Sequence, residues 1–348
     1  MRRTLALATL FLSALSAPAH AVLIGYDGFD YPAGSLAGRG SASDPGFSTA
    51  WTQSGSNGGT VSGAGLTYAN LQTSGGAVDM SAGGTTLNFR GLDAAYNNPS
   101  STATGEFWFS YLVRPGAYTG TPFVGLSFYT DPLAGDAAAD PDFGLVARNQ
   151  GGEIYGFTDL DVANHVESNV TPTDGETALL VGRVVFGGGS NTSANNEDQI
   201  QIFVNPVLGG VEPPSDADGN VTADFQSFRI ASQNGAPFVL DELRFGDSFA
   251  DVTPVTPPNP DLDGSGVGIS DFEIIRDNFL TEQAHGQGDV DFSGFVDHQD
   301  YFLWRTAYLT AGGSEALINW SPAPEPGAAL LLLAGIFVAP AARRPRQR

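Results

Sequence analysis

Between residues 22 and 251 the chain is a succession of short apolar runs broken by Gly, Asn, Asp and Pro. Phe107, Phe109, Tyr111 and Val113 alternate with Trp108, Ser110 and Leu112. Ile200, Ile202 and Val204 alternate with Gln199 and Gln201, and Val239, Leu243 and Phe245 share one parity with Asp241 between them. Leu179, Val181 and Val185 mark another apolar strand. Phe143 to Ala147, then Asn149-Gln-Gly-Gly152, then Ile154 to Phe157 predicts a hairpin. A period of two means strands, and no segment here carries a convincing helical period. About 230 residues of this pattern predict a mainly β fold, a sandwich or barrel best accommodated by two large sheets. The predicted core includes Trp108, Phe109, Leu126, Val181, Ile202 and Leu243.

The pattern changes after residue 251. Val252 to Pro260 holds four prolines and predicts a stiff, extended linker. Beyond it two segments stand in register. The first runs from Asp261 to Leu280 and the second from Asp289 to Leu309. Each opens with Asp-x-Asp-x-Ser-Gly and continues into a helix, with Phe272, Ile275 and Phe279 on one predicted face and Tyr301, Trp304 and Tyr308 on the other. Those stripes predict that the two helices pack together.

The loop spacing has a physical reading. Calcium takes six to eight oxygens at about 2.3–2.6 Å, and a loop supplies them from positions 1, 3, 5, 7, 9 and 12, with Gly at 6 for the sharp turn. The second repeat fits throughout: Asp289, Asp291, Ser293, the Phe295 carbonyl, Asp297 and Asp300, with Gly294 at the turn. The first repeat offers Asp261, Asp263 and Ser265, but its closing acid, Asp271, falls at position 11. One residue is missing between Gly266 and Val267, so a distorted, weaker site is expected there.

The two ends read as processing segments. Residues 1–21 have a basic start, an apolar run from Thr4 to Ala17, and Ala19 and Ala21 in a small-x-small cleavage pattern, which is a secretory signal peptide. At the other end, within 322–348, Pro324-Glu325-Pro326 precedes an apolar run of about 14 residues and then Arg343, Arg344, Arg346 and Arg348. Charge sharpens this picture. All 15 basic residues are Arg, and 38 residues are acidic, for a formal net charge of −23. Six of the Arg lie in the two end segments, leaving nine Arg against 38 acids, a charge of −29 for the exported body. A body that acidic argues against nucleic acid and attracts divalent cations. The chain has no Cys, which excludes disulfide scaffolds and thiol catalysis.

Three family resemblances follow from these residues. The C-terminal triplet, apolar helix and Arg cluster resemble the PEP-CTERM sorting signal, which implies cleavage by an exosortase-type membrane enzyme after transient membrane contact through that helix. The opening Tyr26-Asp-Gly-Phe-Asp-Tyr-Pro-Ala-Gly34, the stretch Phe47 to Trp51, and the closing Leu240-Asp-Glu-Leu-Arg-Phe-Gly246 resemble the concanavalin A-like (laminin G-like) jelly rolls of planctomycete-type surface proteins. That likeness covers most of 22–251. Residues 261–312 resemble a type I dockerin, which implies calcium as cofactor and a cohesin-like module as partner. In that family loop positions 10 and 11 carry recognition; here they are Ile269 and Ser270 in one repeat and His298 and Gln299 in the other.

Fold does not settle function. Three readings stay open. One is a non-catalytic exported surface or matrix protein that binds calcium and, through its jelly roll, a polysaccharide. Another is a polysaccharide-degrading enzyme tethered through the dockerin-like module. The third is a purely structural protein in which calcium only stabilises the small domain. The glucanase members of the jelly-roll superfamily carry Glu-x-Asp-x-x-Glu on one strand, and this sequence lacks it. Asp241 and Glu242 are adjacent, a pattern that predicts opposite faces of a strand and a structural rather than catalytic role. Trp51, Trp108 and the tyrosines are candidates for stacking on sugar rings, with core packing as the competing role.

Overall fold

The computed structural model describes residues 23–54, 57–81, 83–94, 104–118, 123–130, 143–148, 155–159, 164–188, 198–209 and 212–318. Ala19 and Ala21, the Pro324-Glu325-Pro326 triplet, the apolar run after it and the Arg cluster lie outside the described residues. The chain divides into two compact units, residues 1–256 and 257–348.

The first unit is a jelly-roll β-sandwich. Its strands begin with β1 (Leu23–Asp27), β2 (Gly34–Ser35), β3 (Thr52–Ser54), β4 (Thr60–Ser62), β5 (Ala77–Asp79) and β6 (Thr86–Gly91). They continue with β7 (Gly105–Pro115), β8 (Val124–Tyr129), β9 (Phe143–Arg148), β10 (Gly156–Asp159) and β11 (Asn164–Glu167). The last are β12 (Ala178–Phe186), β13 (Asp198–Val204), β14 (Ala217–Val221), β15 (Ser227–Ser232) and β16 (Phe238–Gly246), followed by a single helical turn, α1 (Phe249–Val252). Among the described residues one sheet has nine strands, in the order β14-β13-β12-β7-β16-β5-β4-β2 with β1 also on β16; the other has seven, in the order β11-β10-β9-β8-β15-β6-β3. The strand pairs are antiparallel. The predicted hairpin is there as β9 and β10, with Leu145 opposite Phe157.

The parity read at β7 sets the layers. Phe107, Phe109, Tyr111 and Val113 point between the sheets and meet Leu126, Phe128, Phe228 and Phe245. Trp108 and Leu112 point the other way, into a second cluster with Val181, Phe203, Phe249 and Val252. A central strand buried on both faces therefore reads as a nearly unbroken apolar run. All six predicted core residues are buried. Gly182 sits opposite Phe109, and a Cβ there would lie 2.2 Å from the Phe109 ring, so the large ring takes the space that a side chain at 182 would need.

The parity read at β16 is different from the sequence expectation. Glu242 has φ +56° and the pairing with β7 shifts between Asp241 and Arg244, which is a β-bulge. The extra residue flips the faces, so Leu240 joins Leu243 and Phe245 between the sheets while Val239 packs with the outer cluster. Alternation does not carry Asp241 and Glu242 to opposite faces of a regular strand. Both are fully buried.

The opening motif is a structural clamp. The Asp27 carboxylate accepts hydrogen bonds from Arg90 Nη1 (2.6 Å), Trp51 Nε1 (2.7 Å), Tyr31 Oη (2.9 Å) and the Phe29 amide (3.0 Å). Arg90 is completely buried, stacks over the Phe47 ring at 3.7 Å and also bonds Asp44. This network ties β1, the Phe47–Trp51 stretch and β6 together, and it places Trp51, like Trp108, in the core.

The proline-rich segment starts inside this unit. Val252 is fully buried, the Gln72 amide donates to the Pro254 carbonyl (2.8 Å) and the Thr256 amide to the Asn70 carbonyl (2.8 Å).

The second unit is small and helical, with α2 (Ile269–Asp277), α3 (His298–Thr310) and short 3₁₀ turns at His285–Gln287 and Glu315–Leu317. Its core joins Leu262, Phe272, Ile275, Val290, Val296, Trp304 and Tyr308. Phe272 stacks on Trp304 at 5.2 Å, and Trp304 on Tyr308 at 4.9 Å. One detail departs from the predicted stripe: α2 ends at Asp277, with Asn278 as its cap, so Phe279 reaches the partner repeat from the turn beyond and meets the His298 ring edge-on at 5.0 Å.

Candidate metal centre

Each loop in the second unit gathers three carboxylates whose oxygens lie within 4.8 Å of one another: Asp261, Asp263 and Asp271 in one, Asp289, Asp291 and Asp300 in the other. The last acid of each set organises its loop. Asp300 is fully buried at the third position of α3. Its Oδ1 accepts from the amides of Val290 (2.7 Å) and Asp291 (3.2 Å), and its Oδ2 from the amide of Asp297 (2.7 Å). Asp271 repeats the scheme. Its Oδ1 accepts from Leu262 (2.7 Å) and Asp263 (3.3 Å), and its Oδ2 from Gly268 (2.7 Å).

These matched bonds locate the missing residue. Gly268 takes the helix-capping place that Asp297 takes in the second repeat, so the shortening falls between the Asp-x-Asp stem and the cap. Asp297 caps α3 through a bond from the Gln299 amide (2.6 Å) and can supply a ninth-position carboxylate. Gly268 cannot.

The openings of the loops also differ. In the second, Asp289 accepts from the amides of Ser293 (2.8 Å) and Gly294 (2.9 Å), and Asp291 accepts from Ser293 (3.1 Å). Ser293 Oγ donates to the Phe295 carbonyl (3.0 Å). Gly294 has φ +86°, which glycine adopts without a Cβ penalty. In the first loop Asp263 accepts from the Ser265 amide (2.8 Å), and bonds from Ser265 and Ser270 hold its carboxyl below the ordinary range. Asp261 Oδ1 is buried without a hydrogen-bond partner.

Electrostatics favour a cation in the second loop. Burial raises the Asp289 carboxyl above its usual value and pushes Asp300 up to about 6. Two ionised carboxylates at this separation repel by roughly 3 kcal/mol at an effective dielectric constant of 20. A divalent ion cancels that repulsion. The oxygens fit the shell of an ion with ligands at about 2.3–2.6 Å, and Oδ2 of Asp300 and of Asp271, each accepting one amide, keeps a further lone pair for a metal, whereas each Oδ1 already takes two amides. Both clusters are hard-oxygen sets that could hold a metal ion.

The two loops support each other. Trp304 of α3 donates from Nε1 to the Gly268 carbonyl of the first loop (3.0 Å). The amide of Leu280 donates to Val296 (2.8 Å) and that of Val296 to Thr281 (2.9 Å), while Glu282 pairs with Phe295. The spacing rule names the candidate ligating positions and misses these. Leu262 and Val290, one place after each first Asp, give their amides to the closing acid and their side chains to the core.

The acids singled out in the sandwich have structural partners. Asp241 accepts from the amides of Leu66 (2.7 Å) and Glu242 (2.7 Å), and burial pushes its carboxyl up to about 8. Glu242 accepts from the Ser74 amide (2.6 Å) and Tyr26 Oη (2.9 Å) and pairs with Arg244. Among the described residues, no helix is long and apolar enough to cross a membrane.

No family model matches the chain, and no curated protein matches it by sequence. Solved structures similar to it include domain 4 of AbnA, an extracellular arabinanase from Geobacillus stearothermophilus in complex with arabinotriose, at 18% identity over 67% of this chain and 97% of that one, with a TM-score of 0.39. An endo-β-1,4-glucuronan lyase from Trichoderma reesei aligns at 14% identity over 65% of this chain and 98% of that one, with a TM-score of 0.36. The globular domain of T. cruzi calreticulin aligns at 11% identity over 58% and 85%, with a TM-score of 0.37. Likeness at this level assigns neither a ligand nor an activity.

Proposed function

We propose that the chain is an exported, non-catalytic binding protein: a glycan-binding jelly roll followed by a dockerin-like module that takes calcium in tandem loops. The observation that carries this reading is the twice-repeated three-carboxylate loop with one hydrogen-bond scheme, closed by Asp271 and Asp300. The second loop, with Asp289, Asp291, Ser293, the Phe295 carbonyl, Asp297 and Asp300, is the stronger site. The first, with Asp261, Asp263, Ser265 and Asp271 and no acid at Gly268, is the weaker. A cohesin-like module is the partner this repeat would dock. The burial and full hydrogen bonding of Asp241 and Glu242 support a non-catalytic sandwich over the polysaccharide-degrading alternative.

Calcium binding has a signed pH dependence. The Asp300 carboxyl stands near 6 in the folded protein against an ordinary 3.8, so the metal-free fold holds a proton more tightly than the unfolded chain. Its contribution to metal-free stability is greatest at low pH and is lost as pH rises through about 6. The cation needs the ionised form, so affinity runs the other way, rising through pH 6. Thermal unfolding of the full chain tests both. Calcium is expected to raise the unfolding temperature of the helical unit at pH 7.5, reversibly with a chelator, and much less at pH 5. No calcium-dependent shift at pH 7.5 overturns the reading.

Export and sorting rest on the sequence of the two ends. The mature protein is expected to begin after Ala21 and to lack the Arg cluster after an exosortase-type cleavage near Pro324-Glu325-Pro326. Intact-mass measurement on material from the native cell decides this, and a retained Arg344 counts against it.

A further inference from the structure

A cleft of about 450 Å³ opens at the edge of the nine-stranded sheet, between β1, the Gln72–Ser74 loop and α1. It shares no residue with the metal loops. Leu23, Ala250 and Pro254 give it apolar walls, and Leu23 and Ala250 are exposed. Its floor is polar and tightly built. Tyr26 Oη lies 2.7 Å from Ser74 Oγ and donates to Glu242, while Arg244 bonds Glu242 and the Gln72 carbonyl and lies over the Tyr26 ring at 4.9 Å. Glu242 is held at φ +56°, a conformation an L-residue rarely keeps without support.

One group in the wall is unfinished. Asp251 is 4% exposed. Its Oδ2 accepts from the Asp247 amide (3.0 Å) and Ser248 Oγ (2.7 Å), but its Oδ1 is buried with no hydrogen-bond partner. A buried acceptor of this kind calls for a donor. The charges narrow what that donor belongs to. Arg244 is already neutralised by Glu242, so among the described residues the cleft has no free cation for an anionic ligand, and Asp251 adds a negative charge. The volume lies within the roughly 300–1,000 Å³ range of small-ligand sites and is far larger than the roughly 30 Å³ of one water. Apolar walls beside hydroxyl, amide and carboxylate groups suit a ring with one apolar face and hydroxyl donors at its rim.

We propose that this cleft seats a neutral sugar unit of a polysaccharide, with its hydroxyls toward Asp251 and the polar floor and the apolar face of the ring against Leu23 and Pro254. The proposal rests on the glycan-binding reading and adds the place and the charge class. Uronic acids and sulfated sugars are disfavoured there.

The test uses the full chain against a panel of neutral and uronic oligosaccharides, first on an array and then by calorimetry on any binder. Neutral oligosaccharides are expected to bind, and Ala250→Trp, which fills the mouth from an exposed position, is expected to weaken binding at least tenfold with unchanged thermal unfolding. Asp251→Asn should weaken it as well; because the Asp251 carboxylate also holds Ser248, the cap of α1, Ala250→Trp carries the decision if Asp251→Asn unfolds. Undiminished binding by Ala250→Trp overturns the cleft and leaves glycan binding elsewhere on the sandwich. Preference for uronic oligosaccharides overturns the charge assignment. Binding to no member of the panel overturns this proposal together with the glycan-binding reading, while the calcium reading stands on its own titration.

Discussion

Asp300→Ala is expected to remove calcium binding at the second loop and to destabilise the helical unit by roughly 3 kcal/mol or more. The magnitude follows from the geometry. Asp300 is buried and its two oxygens take the amides of Val290, Asp291 and Asp297. Truncation orphans three donors, and each buried orphan costs about 1–3 kcal/mol, offset where water enters. Asp300→Asn separates the two roles. It retains one carbonyl acceptor and the volume but loses the charge, so the fold should survive more often than the metal response. Calcium titration and urea unfolding, run on both variants, read the two effects independently. An Asp300→Ala protein that still binds calcium at the wild-type level would show that the closing acid is not a ligand.

Arg90→Met is the second large effect, and it falls in the sandwich. Removing one partner of a buried pair leaves the other charge uncompensated, which typically costs about 3–5 kcal/mol. Here the abandoned group is Asp27, itself desolvated enough that burial raises its carboxyl despite Arg90. Arg90 also lies over Phe47 and bonds the Thr49 and Ser41 carbonyls, so the loop that carries Trp51 loses its tether. Denaturant unfolding followed by tryptophan fluorescence should show the loss. The double variant Asp27→Asn, Arg90→Met should be less unstable than the sum of its single changes, because the charge that Arg90→Met strands is absent. Strict additivity would mean that the Asp27–Arg90 contact contributes nothing specific.

These two sites differ in how far they could be read from the chain. The second loop was legible as a candidate site, because oxygen-bearing residues at positions 1, 3, 5, 9 and 12 with Gly at 6 form a sequence pattern of their own. The first loop was legible as shortened. Which residue replaced which needed the bonds of Asp271, since Gly268 has no side chain to mark it as the counterpart of Asp297. The sandwich was legible in β7, where alternation separates Phe109 from Trp108. It was misread in β16, because a bulge at Glu242 puts a charged residue at positive φ and nothing in composition announces it. The Asp27–Arg90 clamp joins positions 63 apart, and the Asp251 cleft joins β1 to α1, the helical turn that follows β16. Both are products of topology, which local pattern does not contain.

Isothermal titration of the full chain, first stripped with chelator and held at pH 7.5, reads calcium binding by the tandem loops without an intermediary signal. One saturable calcium event of higher affinity, lost in Asp289→Asn, and a weaker event, lost in Asp263→Asn, are expected. No saturable heat, or heat that both variants keep, would contradict calcium binding by the loops.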